Sequence, residues 1–179
     1  MKYSTIFIST FFILYFSSYI EGCTNYPNGT ETKLHWFEMT DYRFKIYNFQ
    51  LSPLNGTYKY PINLSNGYKI ELSLNNTGSE TSDFNLDTYI FQWVGNNNCN
   101  WFQIPTYHII NTKNLCNGST TCPVKEGNSK ISFNLDLTNY PSITNLLKTD
   151  ASYQFVFALY SNVNFQSSTV ALQIRGGKQ

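Results

Sequence analysis

Few residues in this chain could carry out chemistry. There are two histidines, His35 and His108. His35 stands beside Trp36 in a predicted first strand, and His108 follows Pro105 in a proline-interrupted segment. A Ser/His/Asp triad could be drawn around either, but no G-x-S-x-G turn or other nucleophile motif accompanies them. Both read as surface or strand-end residues. The acids Asp83, Asp87, Asp136 and Asp150 stand singly. Carboxylates can meet in space without meeting in sequence, yet no positive signal asks for a glycosidase pair. The four cysteines, Cys23, Cys99, Cys116 and Cys122, lack the paired C-x(2–4)-C spacing of a zinc site. The expectation is no metal, no cofactor and no enzymatic activity, with a secreted hydrolase kept as an alternative.

The ends and composition place the chain in the secretory pathway. Lys2 precedes an apolar run from Ile6 to Phe16, and Ser17, Ser18 and Gly22 supply small residues near a cleavage point. Residues 1–22 are read as a signal peptide, with 23–179 as one domain. The run is shorter than the ~20 apolar residues of a spanning helix. A secreted or luminal protein is expected, extracellular or lysosomal. Five sequons agree: Asn28-Gly-Thr, Asn55-Gly-Thr, Asn63-Leu-Ser, Asn75-Asn-Thr and Asn117-Gly-Ser. An even cysteine count in an oxidising compartment favours two disulfides, with three possible pairings. The net charge is +1 and no basic stripe exists, so nucleic acid is not an expected partner.

The elements that must position any site are strands. Tyr68, Ile70, Leu72 and Leu74 alternate with polar residues, as do Ile131, Phe133, Leu135 and Leu137. Tyr153, Phe155, Phe157 and Leu159 form a third set, and Val170, Leu172 and Ile174 a fourth. Period two over such lengths predicts half-buried strands of antiparallel sheets. Tyr42 to Leu51 and Phe84 to Val94 read as longer aromatic strands, while Pro105 makes Trp101 to Ile110 an edge strand or a bend. Pro141 to Asp150 could form one helical turn. About seven or eight strands in one domain predict an all-β, immunoglobulin-like β-sandwich, with a closed lipocalin-type barrel as the alternative. Fourteen Phe, fourteen Tyr and three Trp exceed what a plain aliphatic core needs. Tyr is apolar in body and polar at its tip, which suits a greasy but partly wetted wall, as ligand cavities have.

Several phrases resemble one family. Cys116-Asn-Gly-Ser-Thr-Thr-Cys122-Pro123 is followed by the Gly127-Asn128 turn and the Ile131–Leu137 strand. Tyr140-Pro141-Ser142-Ile143 and the Tyr153–Tyr160 strand come next, and Ile104-Pro105-Thr106-Tyr107 lies upstream. Over roughly residues 23 to 175 the chain looks like the ML (myeloid-differentiation-2-related lipid-recognition) domain family, which includes the Niemann–Pick type C sterol carrier. The resemblance implies a two-sheet sandwich that holds a lipid or sterol between its sheets without covalent chemistry. It implies that Tyr140, Pro141 and Ile143 line the pocket and that Tyr107 stands at its entrance. The inward sets Ile70/Leu72 and Phe155/Phe157 are expected to complete the lining, and Ile143→Gln to weaken binding more than folding. Cys116 and Cys122 are expected to pair. The family's first cysteine joins a last-strand cysteine, which Gln166-Ser-Ser-Thr-Val170 lacks. Cys23 and Cys99 then either pair with each other or are both atypical.

The expected function is sequestration or transfer of a sterol, fatty acid or phospholipid by a monomeric protein, with a membrane surface or receptor as transfer partner. A solid-core adhesion or protein-binding module is the main alternative.

Overall fold

The computed structural model describes residues 23–95, 99–106, 110, 113–117, 122–163 and 166–178. Residues 1–22, Tyr107 and His108 lie outside them. Among the described residues two separate sheets face each other. The larger contains β1 (His35–Thr40), β3 (Ile62–Asn63), β5 (Asn85–Val94), β6 (Asn100–Gln103), β7 (Lys113–Asn114), β9 (Ala151–Ser161) and β10 (Gln166–Gly177). Its main order is β1-β10-β9-β5-β6, with β3 parallel to the end of β10 and β7 beside the start of β5. The smaller runs β2 (Phe44–Pro53), β4 (Tyr68–Asn76), β8 (Gly127–Leu135). Among the described residues only isolated bridges, not ladders, join the two, which is the arrangement of a sandwich and not of a closed barrel. One helical turn, α1 (Pro141–Thr144), follows β8.

The inward faces are those that the alternation marks. On the small sheet Ile70 pairs with Phe133, and Leu72 with Ile131. On the large sheet Phe155 lies between Ile90 and Leu172, and Phe157 between Thr88 and Val170. These residues are all buried and join one hydrophobic cluster apart from Thr88, which is also buried. In β2 the inward positions are Phe44 and Ile46, then Phe49. A register shift between Ile46 and Asn48 adds the odd residue. Without that bulge, one half of the strand would turn its apolar side chains to solvent.

β9 and β10 depart from the half-buried expectation. Ser152, Gln154 and Gln173 belong to the outward face of the large sheet yet are buried. The segment from Cys23 to Leu34 forms a strap across this face. Trp93 Nε1 donates to the Thr24 carbonyl at 2.8 Å, and Ser152 Oγ to that of Asn25 at 3.0 Å. Asn28 Nδ2 donates to Gln173 Oε1, whose own Nε2 donates to Gln154 Oε1, both at 2.7 Å. A buried amide left unpaired would be costly, and this relay pairs both polar atoms of Gln173 and the side-chain oxygen of Gln154.

Two further contacts shape the strand edges. Glu38 on β1 accepts the amide hydrogen of Ile46 on β2 at 2.6 Å, tying the sheets along one side. Asn100 Oδ1 accepts the amide hydrogen of Trp101 on the short β6 at 2.8 Å. β6 ends before Pro105, as the sequence predicts for an edge strand.

Candidate ligand site between the sheets

The sheets meet along two sides, with the isolated bridge Arg43–Ser167 on one and Thr81–Val124 on the other. Along the β1–β2 side they share the Glu38–Ile46 contact, and Ser167 N donates to the Tyr42 carbonyl at 2.9 Å. On the opposite side β8 faces β5 without a shared ladder. A small cavity lies here, between Leu86, Thr88 and Phe157 of the large sheet and Phe133, Asn134, Leu135, Asp136 and Leu137 on the small-sheet side. Ile110 and Tyr140 also line it.

Aromatic rings fill the interior beside it. Phe157 is the hub, with Phe133 edge-on at 5.3 Å, Phe155 at 6.3 Å and Phe49 at 6.4 Å. Phe49 in turn stacks on Trp36 at 6.0 Å. The aromatic excess in the sequence is thus a seam through the core from β1 to β8. The cavity itself is about 20 Å³. Pockets for small molecules occupy roughly 300–1,000 Å³, so this space is too small to hold one. A larger hollow of about 230 Å³ beside the strap, lined by Tyr26, Trp93, Lys148 and Asp150 among others, is a polar surface cleft on the outer side.

The residues expected to line the pocket divide into four groups. Tyr140 and Phe157 line the cavity. Ile70, Leu72, Phe155 and Ile143 are buried in the common core, packed by neighbours rather than bordering the cavity. Pro141 is exposed and does not border the cavity. Its fixed φ and missing amide donor place it at the first position of α1. Tyr107 lies outside the described residues. The sequence reading missed Leu86, Thr88, Ile110, Phe133, Leu135 and Leu137 as lining. Alternation marked Phe133, Leu135 and Leu137 as inward, but only the strand order reveals that they meet Leu86 and Thr88.

The cysteines form two disulfides, Cys23–Cys99 and Cys116–Cys122, with Cα separations of 5.5 and 5.2 Å. The first holds the start of the strap. The second pins a loop that pairs with β5: Leu115 N donates to the Phe84 carbonyl at 2.7 Å, and Val124 bridges Thr81. Asn28, Asn55 and Asn117 are exposed, and Asn63 and Asn75 half-buried.

Several polar residues that could suggest chemistry have structural partners. Asp83 accepts from Asn85 Nδ2 at 2.8 Å and from the Asn162 amide at 3.1 Å. Asp136 accepts from the Thr138 amide at 2.9 Å and from its hydroxyl at 2.6 Å. His35 lies 5.6 Å from the Phe37 ring. Among the described residues no group of three or more His, Cys, Asp or Glu could hold a metal ion.

No family model and no curated protein sequence matches this chain. Among solved structures, it is similar to a Niemann-Pick type C2 protein from the Japanese carpenter ant. The TM-score is 0.50 at 8% identity, covering 79% of this chain and 98% of that one. At this identity the likeness is one of fold.

Proposed function

We propose that this protein is a secreted or luminal, glycosylated, non-enzymatic lipid carrier that takes an acyl chain or sterol between its sheets at the β5–β8 side. The observation that carries the reading is the small, partly aromatic cavity between β5 and β8. The Cys-x5-Cys-Pro and Tyr-Pro-Ser-Ile phrases and the shared fold support it. Two disulfides accord with an oxidising compartment. A membrane surface or receptor is the partner for transfer.

Magnitudes constrain the mechanism. A lipid that hides about 400 Å² of apolar surface gains about 10 kcal/mol. Micromolar affinity takes about 8 kcal/mol. Only about 2 kcal/mol is then left to open the cavity further, before ordering costs. Opening must therefore be a limited swing of β8, Ile110 and Tyr140 away from β5, not a disruption of the β1–β2 side.

The small size of the cavity favours a second reading, an immunoglobulin-like adhesion or protein-binding module with a solid core. Two measurements separate them. Lipid extracted from protein made in a secretory host is identified by mass spectrometry, and a fluorescent fatty acid or sterol is titrated and displaced. Saturable, displaceable binding supports the carrier. Its absence across sterols, fatty acids and phospholipids leaves the solid-core module.

A further inference from the structure

The Asn28-Gly29-Thr30 sequon is built into the strap in a way that the Asn55 sequon is not. Thr30 is 0% exposed. Its hydroxyl donates to the Pro27 carbonyl at 2.8 Å and lies 3.4 Å from Ser152 Oγ. Its carbonyl accepts from the hydroxyl of Tyr60. The Asn28 amide nitrogen donates to Gln173 Oε1, a residue 2% exposed. Asn28 itself stands in a left-handed conformation, with φ at 56°. By contrast, Asn55 and Thr57 are both exposed.

Transfer of an N-glycan makes particular demands on such a tripeptide. The asparagine Nδ2 attacks the anomeric carbon of a polyprenyl-diphosphate-linked oligosaccharide. The N–C bond forms, the C–O bond to the diphosphate breaks, the lipid diphosphate leaves, and Nδ2 loses one proton. The transferase binds an extended acceptor and reads the hydroxyl two residues after the asparagine. In the closed strap that hydroxyl is buried and engaged, the backbone is turned, and Nδ2 is committed to Gln173. The product fits the fold nonetheless: the Asn28 residue is exposed, and one N–H remains on Nδ2 to hold Gln173.

We propose that Asn28 is an N-glycan acceptor that is available only while the strap is open, so that its occupancy is set by a race between sugar transfer and closure of the Cys23–Cys99 bond. Asn55, on an exposed turn, stays available after folding.

The test uses unglycosylated, disulfide-intact protein from a host without N-glycosylation, offered to purified oligosaccharyltransferase with lipid-linked oligosaccharide. Site-resolved mass spectrometry compares the initial rate at each sequon in the folded protein with that in the reduced, unfolded chain. Local protection of the strap is expected to slow Asn28 by about tenfold or more on folding, and Asn55 by no more than about twofold. The Cys23→Ser/Cys99→Ser variant, folded and with β9–β10 intact by hydrogen exchange, is expected to regain most of the Asn28 rate. The proposal is overturned if folding slows Asn28 no more than Asn55, if the double variant leaves Asn28 as slow as in the intact protein, or if Asn28 is not modified in the unfolded chain. Purified components give this answer whether or not the chain binds lipid or is exported.

Discussion

Arg175 grips Asp150 through two nitrogens, Nε to Oδ1 at 2.8 Å and Nη2 to Oδ2 at 2.9 Å. Tyr26 of the strap joins them. Its ring lies 4.7 Å from the guanidinium carbon, and its hydroxyl donates to Asp150 Oδ2 at 3.3 Å. The strap is therefore fastened at this point by charge, as it is at Cys23 by a covalent bond. Hydrogen bonds from Arg175 hold the Asp150 carboxyl below its usual range. An acid whose folded value lies below its unfolded value stabilises the fold fully above the unfolded value, near 3.9, and loses that contribution as pH falls through the folded one. Stability from this pair is thus expected to be intact at neutral pH and to fade below about pH 4. Asp150 is 48% exposed, so solvent screening limits the effect to about 1 kcal/mol or less. Urea unfolding of the native protein and Asp150→Asn at pH 7 and at pH 3 checks it. The difference between the two proteins should shrink at the lower pH.

Tyr153 supplies a second, fully buried example of local pairing. Its hydroxyl accepts the Lys148 amide hydrogen at 2.7 Å and donates to the Lys148 carbonyl at 3.2 Å. Burial pushes its pKa up to about 12. Tyr153→Phe keeps the ring but leaves both backbone groups without this partner. A loss of about 1–3 kcal/mol is expected, read as a lower urea midpoint at unchanged slope. An unchanged midpoint would mean that water replaces the hydroxyl.

At the end of β10, Gly177 is pressed against the chain that precedes β9. A Cβ there would come within 2.1 Å of the Lys148 carbonyl oxygen and 2.4 Å of that of Thr149. Both obstacles are backbone, so no rotamer change relieves them. Gly177→Ala is expected to destabilise by about 3 kcal/mol. Gly56→Ala is the control, since no atom lies within 4 Å of its Cβ position; its φ of 82° limits the penalty to backbone strain. Thermal unfolding of the two variants should place Gly177→Ala lower.

Lipid binding, if the carrier reading holds, should respond to Tyr140 and not selectively to Ile143. Ile143 is 1% exposed and packed in the core, so Ile143→Gln buries an unpaired amide and damages folding as well. Ile143→Gln is therefore a poor probe of binding alone. Tyr140 is half-buried and borders the cavity. Tyr140→Ala is expected to weaken lipid binding by about 1–2 kcal/mol, roughly tenfold in Kd, with a smaller change in unfolding stability. Displacement titration and thermal unfolding of the same preparation measure the two effects.

The residues explain how far the sequence could be read. Ile70, Leu72, Phe155 and Phe157 were legible as inward because alternation depends only on the strand's own pleat. The bulge after Ile46 was not, since it moves the inward positions of β2 from even to odd residues and hides the strand's period. Gln154 and Gln173 read as solvent-facing, because nothing in their own strands signals that the strap will lie over them. The cavity lining required knowledge of which strands become neighbours. Phe133 and Leu86 are far apart in sequence and meet only because β8 ends its sheet opposite β5. Pro141 stands at an exposed helix start, which accommodates proline as readily as a pocket does.

The contacts of Glu38 with Ile46 and of Asn100 with Trp101 bear on behaviour at high concentration. Open sheets carry rows of free amides that can template strand addition by another chain and lead to aggregation. Here β2 and β6 both lie at sheet borders, and on each a side chain of the protein already occupies an amide that an incoming strand would use. Lys45 stands exposed on β2, and Pro53 ends that strand with no amide donor at all. These features oppose cross-β growth from the two borders by occupying or removing donor groups, without requiring a second subunit to cover them.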